Sequence, residues 1–142
     1  GILLAEVQES SNTTYRIYDY NRLGNDGKPR ELHIDKAVDV TSTKAIDASG
    51  KPMGEKIEKD GYSETLLTKC DLFTVKSLEI TEKATVVADG TSFVSLVCLE
   101  GNGVVMHEDS CVTLYKGESL FVPAGYGEFE ILGNLHVIES RV

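Results

Sequence analysis

The residues best suited to chemistry lie in "SSNTTYRIYDYNRLG", residues 10–24. This stretch alternates like a strand, with Arg16 in its middle and Arg22 just past its end. Arginine is always charged, and its planar guanidinium donates paired hydrogen bonds to phosphate or to a developing oxyanion. Strand alternation places Arg16 on one face with Tyr18 and Tyr20. Two interpretations follow: Arg16 stabilises an anion, or it is a solvated strand residue stacked on tyrosine.

The net charge of the chain limits the kinds of partner that it can bind. Its 142 residues carry a formal net charge of −9 at pH 7, which argues against nucleic acid or an anionic membrane as a partner. Residues 16–36 hold five basic and four acidic side chains, so this strip carries +1 and the rest carries −10. A basic strip on an acidic protein suits a small anionic ligand.

The sequence also predicts a cytoplasmic location without a membrane partner. No apolar run approaches the length that a membrane span needs, and the opening "GILLAEV" is too short and lacks the basic flank of a signal peptide. Cys70, Cys98 and Cys111 are odd in number and widely spaced, which is typical of small buried thiols in a reducing cytoplasm.

The first 61 residues combine two strand-like runs, one helix and a linker. "ILLAEVQ" and "TTYRIYDY" are rich in β-branched or aromatic residues and predict strands, and the apolar spacing of "RELHIDKAVDV" predicts a short helix. "NRLGNDGKPR" predicts a loop, and residues 45–61 are polar with Gly and Pro, which predicts a linker or a long surface loop.

From residue 63 onward the chain predicts closely spaced short strands. Among them, "LVCLEGNGVV" predicts strand, tight glycine turn and strand, and "GEFEILG" and "LHVIESR" predict two separate strands. The expected fold class is all-β, a double-sheet β-sandwich of the jelly-roll type with a short connecting helix. The spacing of Gly117, Pro123 and Gly125 in "GESLFVPAGYGEFEI" resembles the second motif of the cupins, which implies a cupin-type jelly roll.

A metal site is not expected in this region. Gly117, Pro123 and Gly125 have the spacing of the second cupin motif, but Glu128 stands where that motif has its histidine. The His-x-His pair of the first cupin motif is absent as well. Three or four converging ligands are needed to hold a metal, whereas the three histidines are far apart in sequence. A metal-dependent cupin oxygenase is therefore excluded.

The opening residues, "LLAEVQESSNTTYRIYDYNR" followed by "GKPRELHIDKAVDV", resemble the class I mannose-6-phosphate isomerases in their short bacterial form. The rest of the chain fits the metal-free C-terminal cupin of that family. The resemblance implies a C-terminal portion divided into three parts. Residues 1–44 are the last strands of the catalytic cupin plus the connecting helix, 45–61 are a linker, and 62–142 are the second cupin.

The resemblance also implies roles for individual residues. The parent enzyme interconverts mannose 6-phosphate and fructose 6-phosphate through a zinc-assisted enediol. Glu6 and Arg16 match a glutamate and an arginine beside the zinc and are the candidate catalytic residues. Arg22 matches a basic residue near the substrate phosphate.

The zinc ligands of the family lie upstream of the position that matches residue 1, so no cofactor is expected in this chain. The chain alone is predicted to be inactive as an isomerase, with unpaired strands that pack on the second cupin, associate with another copy or are poorly ordered. The alternative is a non-catalytic cupin module that binds a sugar phosphate or a protein partner.

Overall fold

The computed structural model describes residues 4–8, 10–45 and 50–142. Its secondary structure comprises one helix and eight strands in these ranges: α1 Ile34–Val40, β1 Lys56–Lys59, β2 Tyr62–Lys69, β3 Thr74–Ile80, β4 Lys83–Ala88, β5 Val94–His107, β6 Ser110–Tyr115, β7 Ser119–Val122 and β8 Gly127–Arg141. No helix in the described part of the chain is long and apolar enough to cross a membrane. The chain divides into two compact units, Gly1–Ser49 and Gly50–Val142.

The second unit is a β-sandwich built around two long strands. β5 and β8 pair antiparallel along most of their length, and the path of paired strands runs β1-β2-β3-β8-β5-β6. β4 joins the first half of β8, while β3 joins its second half. Likewise β7 joins the first half of β5 and β6 joins its second half. Each long strand therefore belongs to both layers of the sandwich, and the core fills the space between the two layers.

Alternation along the strands explains the core. β4 shows a strict exposed–buried pattern, so that Ala84, Val86 and Ala88 face inward. From β8, Phe129 and Ile131 are almost fully buried in the same hydrophobic cluster. One face of each layer is thus apolar, as in other β-sandwiches.

The predicted turn in "LVCLEGNGVV" and the predicted break between "GEFEILG" and "LHVIESR" are both wrong. Both segments lie within continuous strands, with a bulge in β5 between Cys98 and Glu100. The glycines permit close approach of β5 and β8. A Cβ added to Gly101 would lie 2.1 Å from the Asn134 carbonyl oxygen, and one added to Gly103 would lie 2.4 Å from that of Leu132.

A strand also occupies part of residues 45–61. Lys56–Lys59 forms β1 and pairs with the start of β2. Its four residues are all exposed, so the apolar alternation that marks a strand is missing. The sequence pattern therefore predicts a linker at this polar edge strand.

In the first unit, the predicted helix is confirmed as α1, but the two predicted strands are not formed in the described residues. Residues 2 and 3 of "ILLAEVQ" lie outside those residues, and the remainder and "TTYRIYDY" have no sheet partner. The backbone of Arg16 bonds instead to His33: the Arg16 N–H donates to His33 Nδ1 at 3.1 Å, and the His33 N–H donates to the Arg16 carbonyl at 2.7 Å. A segment forms a strand only where a partner strand takes up the hydrogen bonds of its backbone. Here His33, at the N-terminus of α1, takes up the backbone hydrogen bonds of Arg16 instead.

Candidate functional site

The first unit contains a buried carboxylate, that of Asp19. Asp19 is 5% exposed, and three arginines surround it. Arg22 donates to Asp19 Oδ1 from Nη2 at 2.7 Å and from Nε at 3.0 Å. Arg30 donates from Nε to Oδ2 at 2.6 Å and also from Nη2 to Oδ1. The Nε atom of Arg16 lies 3.9 Å from Oδ1, close enough for an ion pair.

A tight turn brings Arg22 back to Asp19. Tyr20 and Asn21 both adopt the left-handed backbone region, with φ of 50° and 55°. The turn closes with a 2.9 Å hydrogen bond from the Arg22 N–H to the Asp19 carbonyl. Left-handed backbone in two successive non-glycine residues is uncommon, so the surrounding contacts must hold this turn.

A hairpin-like loop then brings Arg30 to the same place. Leu23 and Pro29 form an isolated antiparallel bridge, and the Gly24 N–H donates to the Lys28 carbonyl at 2.8 Å. The residue after the bridge is Arg30. The loop thus brings the Arg30 guanidinium to the Asp19 carboxylate.

The arginines keep the Asp19 carboxylate ionised, and the cluster as a whole carries excess positive charge. Hydrogen bonds from Arg30, and then from Arg22, hold the pKa of Asp19 far below its ordinary value, although burial opposes them. The Asp19 carboxylate in turn raises the pKa of Arg30. Three guanidinium groups around one carboxylate give the cluster a formal charge of +2 on a chain of net charge −9.

Arg16 is held in position while most of its donors stay free. Besides the backbone bonds to His33, its Nη1 donates to the Glu31 carbonyl at 2.9 Å. Its side chain is 22% exposed. Among the described residues no other acceptor takes a hydrogen bond from this guanidinium, so four of its five N–H groups remain available.

The structure brings together two of the three site residues predicted from the sequence. Arg16 and Arg22 both contact Asp19, and Arg22, 67% exposed at its side chain, presents its outer edge to solvent. Glu6 is exposed in a segment with neither helix nor strand. Within the described part of the chain, Glu6 forms no hydrogen bond or ion pair with Arg16.

Sequence reasoning missed Asp19 and Arg30 as members of this cluster. Strand alternation predicts that Arg16 and Asp19 lie on opposite faces, which is wrong because the segment is not a strand. The available signal was the spacing of Arg16, Asp19 and Arg22, since one arginine lies three residues before the aspartate and another lies three residues after it. Arg30 belonged to the recognised basic strip but lies eleven residues from its partner, so only the loop geometry reveals it.

The described residues do not supply a metal site. No group of three or more His, Cys, Asp or Glu side chains converges among them. Each histidine also has another partner: His33 accepts from Arg16, His107 Nδ1 lies 2.8 Å from the Glu128 carbonyl, and His136 Nε2 lies 2.7 Å from Ser77 Oγ. The zinc that the resemblance implies for the parent enzyme does not fit these residues.

Comparisons with known proteins identify the relatives. A family model for "Mannose-6-phosphate isomerase, cupin domain" matches residues 63–142. Mannose-6-phosphate isomerase ManA of Bacillus subtilis is 32% identical over 142 residues, which cover 100% of this chain and 44% of that protein. Mannose-6-phosphate isomerase of Streptococcus mutans is 29% identical over 144 residues, which cover 99% of this chain and 43% of that protein.

A solved structure agrees with the sequence relatives. The crystal structure of mannose 6-phosphate isomerase from Bacillus subtilis matches with a TM-score of 0.78 at 31% identity, over 93% of this chain and 41% of that one. The chain therefore spans less than half the length of these relatives, and it matches their C-terminal portion. The predicted cupin-type jelly roll is confirmed, and the chain belongs to the mannose-6-phosphate isomerase family, with its cupin domain at residues 63–142.

Proposed function

We propose that this chain is the C-terminal part of a cytoplasmic isomerase that interconverts mannose 6-phosphate and fructose 6-phosphate. In this proposal the zinc of the parent enzyme is held by ligands upstream of residue 1, and the chain contributes arginines to a site that is completed elsewhere. The main support is the cluster of Arg16, Arg22 and Arg30 around the buried Asp19 carboxylate. Its excess positive charge suits an anionic substrate and an anionic intermediate.

Arg16 is the proposed stabiliser of the intermediate. Aldose–ketose isomerisation removes a proton from the carbon next to the carbonyl and returns it to the former carbonyl carbon, so negative charge develops on oxygen in the enediolate. A preorganised cation with free N–H donors stabilises that charge without rearranging during the reaction. The bonds of Arg16 to His33 and Glu31 provide this preorganisation.

Arg22 is the proposed phosphate ligand. Its Nε and Nη2 atoms are oriented by Asp19, and its side chain is mostly exposed. A guanidinium fixed on one edge presents its other edge to a phosphate in a defined direction.

Glu6 remains a proposed catalytic acid–base residue, supported by the family resemblance alone.

The parent activity can be tested with a hybrid protein. The N-terminal part of Bacillus subtilis ManA that this chain does not match would be joined to residues 1–142. We expect the hybrid to interconvert the two sugar phosphates and the 142-residue chain alone to show no turnover. Size-exclusion chromatography of the chain alone would test the proposed self-association.

The result that would contradict the proposal is an inactive hybrid whose circular dichroism and melting behaviour match those of intact ManA. That outcome would favour the non-catalytic cupin module that binds a sugar phosphate or a protein partner. Zinc-dependent turnover by residues 1–142 alone would contradict the assignment of the metal ligands to the upstream segment.

A further inference from the structure

A cavity of about 280 Å³ lies in the second unit, lined by residues of β1, β2, β3, β4 and β8. It is far more charged than the adjoining core. Its charged lining residues are Lys59, Glu64, Lys76, Glu139 and Arg141. These three cations and two carboxylates sum to +1, on a chain of net charge −9.

Three of the charged lining side chains, those of Glu64, Lys76 and Glu139, occupy core-facing positions of their strands. In an antiparallel sheet, directly paired residues point to the same face. Glu64 pairs with Leu78, which is 1% exposed, and Glu139 pairs with Leu96, which is 0% exposed. Lys76 pairs with Glu139 in turn. Strand alternation would place apolar residues at these positions, so the charged side chains there depart from the pattern of the adjoining core.

The two lysines hold one carboxylate and keep donors free. Lys59 Nζ lies 3.2 Å from Glu64 Oε1, and Lys76 Nζ lies 3.5 Å from Glu64 Oε2. Burial raises the pKa of Glu64, but the two lysines outweigh it, so the pKa lies below its ordinary value. Each ammonium has three N–H groups and is therefore able to bind an incoming anion as well.

Glu139 supplies an acceptor in the lining of the cavity. It is 4% exposed, and its Oε1 accepts from Arg141 Nε at 2.7 Å and lies 2.5 Å from Arg141 Nη2. Arg141 also donates from Nη1 to the Val87 carbonyl of β4 at 3.1 Å, which fixes the pair. Among the described residues Oε2 of Glu139 has no hydrogen-bond partner, and it is not a buried unsatisfied atom. This oxygen is thus available to a hydroxyl group in the cavity.

We propose that this cavity binds a hydroxylated organic anion of the sugar-phosphate class. The free N–H groups of Lys59 and Lys76 bind the phosphate, and Glu139 Oε2 accepts a hydrogen bond from a hydroxyl. Tyr62 also lines the cavity, with Lys59 Nζ 5.7 Å from its ring centroid, and offers an apolar surface to the sugar ring. The cavity volume, about 280 Å³, lies just below the lower end of ordinary ligand pockets, about 300 Å³, which restricts the ligand to a small molecule.

The test is a titration of the ¹⁵N-labelled 142-residue chain with fructose 6-phosphate, followed by two-dimensional NMR. We expect saturable shifts of amides in β1, β2, β3 and the end of β8. Lys76→Gln and Glu139→Gln should each weaken binding about 10- to 100-fold, the effect of losing a charged hydrogen bond. The matched control is Lys83→Gln: Lys83 is also a strand lysine in an ion pair, 2.9 Å from Glu130, but does not line the cavity. The affinity of Lys83→Gln for fructose 6-phosphate should equal that of the unmodified chain.

Several results would overturn the proposal. One is the absence of saturable shifts in these strands at about 10 mM probe, well above the roughly 1 mM dissociation constant of weak specific binding. Another is equal binding by Lys76→Gln and Lys83→Gln. Equal shifts with inorganic phosphate would reduce the site to non-specific anion attraction. If Lys76→Gln loses its folded spectrum, Lys59→Gln on the exposed edge strand β1 makes the same test.

The proposal stands apart from the isomerase proposal. The cavity lies within Gly50–Val142, whereas Arg22 lies within Gly1–Ser49. The two proposals therefore fail separately: the amide shifts of β1, β2, β3 and β8 test the cavity, and the turnover of the ManA hybrid tests the arginine cluster.

Discussion

Replacing Gly101 with alanine should destabilise the β-sandwich by about 1–4.5 kcal/mol, because two separate penalties act there. The φ of Gly101 is +76°, and a left-handed backbone costs a residue with a Cβ about 1–2 kcal/mol. The new Cβ would also lie 2.1 Å from the Asn134 carbonyl oxygen, and relieving such an overlap costs about 1–3 kcal/mol. The lower entropy of the unfolded alanine chain offsets about 0.4–1 kcal/mol.

Two other glycines separate these penalties. Gly117 has φ of +86° and no atom within 4 Å of the added Cβ, so Gly117→Ala carries the backbone penalty alone and should cost about 0–1.5 kcal/mol. At Gly103 the added Cβ would lie 2.4 Å from the Leu132 carbonyl oxygen without a left-handed backbone, so Gly103→Ala carries the overlap alone. Guanidinium denaturation of the three variants, followed by circular dichroism, gives the free energies of unfolding. If Gly101→Ala loses no more stability than Gly117→Ala, the close approach of β5 and β8 is not what those glycines permit.

Three further predictions concern charged groups. In the ManA hybrid, Arg22→Gln should raise KM for mannose 6-phosphate with little change in kcat, since Arg22 is proposed to bind the phosphate; an unchanged KM in steady-state kinetics contradicts that role. Asp19→Asn should lower kcat/KM, because it removes the group that orients the arginines; activity equal to the unmodified hybrid would show that the cluster needs no anchor. The pKa of Glu64 is lowered by folding, so its stabilising contribution is present above its ordinary value of 4.5 and is lost as pH falls through the folded pKa. Glu64→Gln should therefore show a shallower fall in melting temperature below pH 4.5, and a curve parallel to that of the unmodified chain would refute this.

The all-β fold was predictable because its signal is local. In β4, apolar and polar residues alternate in "KATVVA", and the burial of alternate residues follows that pattern. The helix α1 was predictable for the same reason, although Ala37 is its one buried residue among those described. Each of these elements can be recognised from a few consecutive residues.

Features that depend on distant partners were not predictable. Gly101 and Gly133 look like turn residues in the sequence, yet each permits the crossing of β5 and β8, a contact between segments thirty residues apart. The segment around Arg16 has the composition of a strand, but no described strand pairs with it. The pairing of Asp19 with Arg30 depends on a turn and a loop that only the three-dimensional arrangement reveals.

The most direct test of the proposed function is the turnover number of the ManA hybrid carrying Arg16→Lys, compared with Lys28→Gln. Lys28 is exposed in the same basic strip, and among the described contacts its side chain has no partner in the arginine cluster. Lysine keeps the charge but loses the planar set of donors, so we expect kcat to fall about 100- to 1000-fold, the usual effect of removing an oxyanion donor. Lys28→Gln should leave kcat unchanged. Equal turnover by the two variants would contradict the claim that Arg16 stabilises the enediolate.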